Sequence, residues 1–128
     1  MASRSIRLVR EHTRIASFNY RGIHARHPAL AAAREGIVAP GDPNGTVTPE
    51  EHNLGGASAN SPFTSWTRNR NTARRYALSS GPGGVILRVP VGAPTSGDSW
   101  SWEWSPDRYF EGEVLLRGSR SGATVELP

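Results

Sequence analysis

The sequence predicts an α+β domain, on three observations. Segments with strand patterning outnumber helical ones, the helical runs are short, and 14 Gly with 10 Pro among 128 residues imply many loops around a modest core. A chain of this length fits one domain, residues 1–128, with residues 1–16 read as a basic N-terminal arm.

The elements follow in order. Ser17 to Ile23 alternates apolar and polar residues, so a strand there puts Phe18 and Tyr20 on one face and Asn19 and Arg21 on the other. Pro28 opens an Ala-rich helix that runs to Glu35 and stops at Gly36. Asp42-Pro43-Asn44-Gly45 is a turn. Thr48-Pro49-Glu50-Glu51 reads as a capping box with proline at the first helical position, and Gly55-Gly56 ends that helix.

Ser61 to Thr67 reads as a strand with Phe63, Ser65 and Thr67 on one face and Thr64 and Trp66 on the other. Asn71 caps a helix through Leu78, with Ala73, Tyr76 and Ala77 sharing a face, and Gly81-Pro82-Gly83-Gly84 breaks it. Val85–Val89 is a short apolar strand, followed by a flexible stretch to about Arg108. Glu111 to Leu116 forms another strand, and Ala123–Leu127 closes a hairpin with it.

Composition removes several function classes. Without cysteine there is no disulfide framework, thiolate metal site or cysteine nucleophile. All fifteen basic residues are Arg, so a Schiff-base lysine and the lysine-containing phosphate loop are excluded. The apolar runs fall short of the ~20 residues of a membrane span, and MASRSIRLVR carries no apolar leader. The net charge of +4 is laid out in blocks. Residues 1–40 hold seven Arg against two Glu, 68–88 hold five Arg and no acid, and 89–128 hold six acids against three Arg. Such alternation suits an anion grip beside working carboxylates, and also an ordinary mixed surface.

Four features could carry chemistry. Glu111 and Glu113 are two apart on a strand, so their carboxylates project from one face and push their pKa values apart. A solvated edge strand protected by Glu has the same pattern. Arg21, mid-strand between apolar residues, needs a carboxylate or phosphate partner, and Gly22 beside it lets a ligand approach the backbone closely. Ser65 lies on a hydroxyl-rich strand with Thr64 and Thr67. Trp100, Trp102 and Trp104 alternate, either to stack a flat ligand or to cover the core. His24 and His27 have a spacing compatible with a metal, but no third ligand is near in sequence.

Taken together, Tyr20-Arg21-Gly22, then Phe63-Thr64-Ser65-Trp66-Thr67, then Glu111-Gly112-Glu113-Val114-Leu115-Leu116 resemble the Arg–Ser–Glu class of mono-ADP-ribosyltransferases. More narrowly, the chain resembles the small transferase domains that end bacterial polymorphic (Rhs-type) toxins. The resemblance runs from about Phe18 to Leu127. Its most specific parts are Pro62 to Thr67 with Ala73 to Ala77, and Glu111 to Gly118. One departure is that Ser65-Trp66-Thr67 stands where the family reads Ser-Thr-Ser, so Trp66 must turn away from the ligand into the core.

The resemblance implies a compact fold of two packed, mostly antiparallel sheets with short helices, and NAD as co-substrate without a metal. Arg21 and Gly22 would hold the dinucleotide's phosphates and ribose, with Ser65, Thr67 and Tyr76 as further NAD neighbours. Glu113 would stabilise the positive charge that develops at the ribose, and Glu111 would position or deprotonate the acceptor. Tyr109 and Phe110 would recognise that acceptor, which is RNA or protein. The resemblance further implies a monomer delivered as part of a larger secreted effector. It would act in a competing cell's cytoplasm and be held in check by a cognate immunity protein over the Arg21–Glu113 cleft. Two other functions fit the same residues. One is an NAD glycohydrolase using the same site; the other is a non-enzymatic nucleic-acid-binding module built on Arg68, Arg70, Arg74 and Arg75 with the tryptophans.

Overall fold

The alternation from Ser17 to Ile23 becomes β1 (Phe18–Ile23), one of the two central strands of the sheet. A computed structural model describes residues 17–53, 58–92, 99–106 and 113–128. After β1 come two short helices, α1 (Leu30–Ala33) and α2 (Pro49–Asn53), then β2 (Phe63–Thr67), α3 (Arg70–Ala77), β3 (Val85–Pro90), β4 (Ser101–Trp104), β5 (Glu113–Arg117) and β6 (Thr124–Glu126). The capping box at α2 is formed: Glu51 N–H donates to Thr48 Oγ1 at 3.2 Å, and Thr48 N–H donates to Glu51 Oε1 at 3.3 Å.

The strands make one six-stranded sheet in the order β4-β5-β2-β1-β3-β6, with every neighbour antiparallel. Among the described residues no second sheet is found. Two three-stranded halves, β4-β5-β2 and β1-β3-β6, meet at a single registered pair, Tyr20↔Thr67. That one rung is enough to make them a single sheet. By contrast β1 and β3 pair along their full length, from Phe18↔Pro90 to Ile23↔Val85.

Period-2 alternation sorts the two faces. The first carries the main core: Ile23, Val85, Leu87, Val89, Trp66, Val114 and Leu116, closed by Ala33, Val38 and Ala123. Trp66 is buried there, its Nε1–H donating to Thr64 Oγ1 at 2.9 Å and its ring meeting Trp102 edge-on, so it does turn away from the face of Ser65. The second face is covered in part by α3, whose Ala73 and Ala77 pack with Ile86 and Tyr20.

Three expectations are corrected. Part of the stretch before Arg108 is a strand, β4, because Trp100 and Trp102 pack against the core while Trp102 pairs with Leu116. Trp104, 70% exposed, lies under the guanidinium of Arg68. The last strand pairs with β3, not β5. Gly118 (φ +85°) and Gly122 (φ +74°) turn the chain aside, and Arg120 bonds reciprocally to Val38 on the way. Finally, the cap of α3 is Asn69, whose side chain accepts the Asn71 N–H at 2.9 Å.

Candidate active site

The ladder between β1 and β2 has one registered pair, Tyr20↔Thr67, and is not continued to Arg21 opposite Trp66 or Gly22 opposite Ser65. There the Ser65 carbonyl accepts a hydrogen bond from Arg21 Nη1 at 2.9 Å. Arg21 therefore bridges β1 to β2 beyond their registered pair. It is half-buried, and burial lowers its pKa to about 10. Among the described residues the ion pairs engage Arg70, Arg88 and Arg117, and no carboxylate pairs with Arg21. A buried cation without a counter-ion is costly, and an anionic ligand removes that cost.

Ser65 lies on the second face, and its hydroxyl is held by a residue the sequence reading did not select. His52, in α2, places Nε2 at 3.0 Å from Ser65 Oγ and Nδ1 at 2.8 Å from Ser61 Oγ. The direction of this chain can be assigned. Ser61 is fully buried and its oxygen already accepts the Phe63 N–H at 3.1 Å, so its own proton goes to His52 Nδ1. The imidazole then carries its proton on Nε2 and donates to Ser65 Oγ, which leaves the Ser65 proton to be given outward. Nothing local flags His52, because its partners lie nine and thirteen residues away. The capping box that sets α2 was the only nearby signal.

Glu113 opens β5 opposite Thr67, on the same face as Ser65 and diagonal to it. That geometry separates their side chains by about 7 Å. Ser105, from the chain leaving β4, donates to Glu113 Oε1. Ser65 and Glu113 thus share the second face on the adjacent strands β2 and β5, while Arg21, paired with Leu87, springs from the first face of β1 and is tied to β2 through the Ser65 carbonyl.

The other expected site residues divide. Thr67 is in the central row between Tyr20 and Glu113, but its Oγ1 accepts the Asn69 N–H at 3.1 Å and so starts the turn into α3. Gly22 faces α3: a Cβ there would collide with the Ala73 carbonyl oxygen and come within 2.9 Å of Ala77 N. Its missing side chain admits the close approach of this helix. Tyr76 is 56% exposed on α3 and does not share the buried face of Ala73 and Ala77, because the alanine stripe that approaches β1 so closely is too narrow to cover it. Glu111, Tyr109 and Phe110 lie outside the described residues, as do residues 1–16 and Gly55-Gly56.

Two histidines report the field of Arg21. Burial first, then the Arg21 charge, lowers the pKa of His52; His27 is lowered by burial, Arg21 and His24. Both rings are therefore neutral in the folded state where the unfolded chain begins to take up protons, near 6.5. The unfolded state binds more protons, so this contribution to stability is present above that pH and is lost on acidification. The melting temperature is expected to fall between pH 7 and pH 5, and less steeply in a His27→Gln/His52→Gln variant. Equal slopes in the two proteins would assign the dependence to other groups.

Among the described residues no group of three His, Asp or Glu could hold a metal ion, and no helix is long and apolar enough to cross a membrane. No protein-family model matches the chain, and neither curated proteins nor solved structures give a match.

Proposed function

We propose that this chain is an NAD-dependent mono-ADP-ribosyltransferase domain of the toxin type, moving ADP-ribose to a macromolecule, RNA or protein, of a competing cell. The observation that supports it best is the place of Arg21, Ser65 and Glu113 on three adjacent strands, with Arg21 bonded to the Ser65 carbonyl, Glu113 on the face of Ser65 and Trp66 turned to the core. Arg21 offers a half-buried guanidinium with no carboxylate partner among the described residues, which fits the diphosphate of NAD. Ser65, whose oxygen accepts from His52, gives its own proton toward the ribose. Glu113 supplies negative charge where the ribose becomes cationic as the glycosidic bond to nicotinamide breaks. Glu111 is the proposed base for the acceptor.

The charged surface speaks less well for a nucleic-acid-binding module alone. Arg70 and Arg88 are both engaged by Glu126, and Trp100 and Trp102 pack on the core. In the proposed setting the domain is the delivered end of a larger effector and meets a cognate immunity protein over the Arg21–Glu113 site.

The test is incubation of the domain with NAD labelled in its adenylate half and a bacterial lysate, followed by RNase or protease. The expected result is labelled macromolecule, and the digestion that releases it names the acceptor. Free ADP-ribose without adduct would mean transfer to water, the glycohydrolase. Intact NAD would reject the reading altogether.

A further inference from the structure

Glu113 has a neighbouring strand on each side. On β2, Thr67 stands directly opposite and Ser65 on the diagonal. On β4 the ladder runs from Ser101↔Arg117 to Trp104↔Val114, so one further step sets Ser105 opposite Glu113. Because side chains alternate, Ser105 falls on the second face with Glu103 and Glu113. Pro106 helps to keep it there. The residue before a proline is confined to extended backbone, which carries the alternation of β4 one residue past its end. The Ser105 hydroxyl donates to Glu113 Oε1, and among the described residues Glu113 makes no other hydrogen bond.

We propose that Ser105 is the positioning residue of Glu113, holding Oε1 on the β4 side so that Oε2 is left for the substrate. A glutamate has three rotatable bonds, and a charge serves a transition state best when it is already in place. The choice of partner matters as much as the contact. The other strand carboxylates, Glu103 and Glu126, are paired with arginines, Glu103 with Arg117 and Glu126 with Arg70 and Arg88. Glu113 is instead held by a neutral hydroxyl, which orients the carboxylate without cancelling the negative charge that a developing cation requires. That the cation is the ribose of NAD rests on the transferase reading; the anchoring of Glu113 does not.

The test compares Ser105→Thr with Ser105→Val in the whole chain. The two side chains share a shape that suits extended backbone, and only threonine keeps the hydroxyl. Without NAD, the side-chain carboxyl ¹³C signal of Glu113 should move in Ser105→Val and stay near the parent's position in Ser105→Thr. With NAD, Ser105→Val should lower kcat for cleavage about tenfold, the worth of one hydrogen bond to a charged group. KM should be unchanged, because Ser105 acts through Glu113 and not on the substrate. Ser105→Thr should stay within about threefold of the parent.

An unmoved Glu113 signal in Ser105→Val, or cleavage there at the parent's kcat, overturns the positioning role. A raised KM with kcat intact overturns it too, since Ser105 would then bind substrate itself. The transferase reading fails differently. Intact NAD with the parent chain, while the Glu113 signal moves in Ser105→Val alone, would reject the transferase and keep the anchor. NAD cleavage that is equal in all three proteins would do the reverse.

Discussion

Glu113→Gln is expected to lower NAD cleavage at least about 100-fold, the scale for losing one preorganised electrostatic contact to the transition state, while leaving the fold unchanged. The substitution preserves shape and keeps an oxygen to accept the Ser105 hydroxyl, so the bond from the end of β4 survives. The ladder position opposite Thr67 is unaffected, since that pairing is made by the backbone. What goes is the negative charge beside Ser65. Nicotinamide release measured against the parent, with circular dichroism of both, checks the result. Turnover at the parent's rate would remove Glu113 from the chemistry, and with it the transferase reading.

Gly22→Ala should produce the largest loss of stability from one added methyl. The new Cβ has no free side chain to displace: it meets the Ala73 carbonyl oxygen and stands 2.9 Å from both Ala73 C and Ala77 N, all backbone of α3. To accommodate it α3 must lift from β1, opening the small cluster of Ala73, Ala77, Ile86 and Tyr20. Overpacking of this kind costs about 3 kcal/mol, roughly a 10 °C fall in melting temperature for a domain of this size. A glycine kept for a ligand would behave otherwise, with NAD affinity falling while the melting temperature held. Thermal unfolding beside the KM for NAD separates the two roles.

What the sequence made legible was local. The alternation of Phe18 to Ile23, the Ser65–Thr67 strand with Trp66 turned inward and the Thr48–Glu51 capping box each follow from contacts within a few residues, and each is found in the structure. Errors arose wherever a partner is distant. Nearness in sequence suggests that the last strand pairs with β5, but it pairs with β3. The need of Arg21 for a partner could be read from its place in a strand; that a backbone carbonyl from β2 supplies one could not. His52 stayed hidden for the same reason, since only the folding of α2 against the Phe63 end of β2 brings its ring to Ser61 and Ser65.

The single rung at Tyr20↔Thr67 also has a mechanical meaning. A sheet of two laddered leaves joined at one rung has a crease, and the groups gathered here are divided across it. Arg21 belongs to one leaf, Ser65 and Glu113 to the other. A few degrees of folding about the crease would change the span from guanidinium to carboxylate while every ladder within each leaf stayed whole. Any molecule long enough to touch both ends is therefore also a brace, stiffening the sheet along the line where it is weakest.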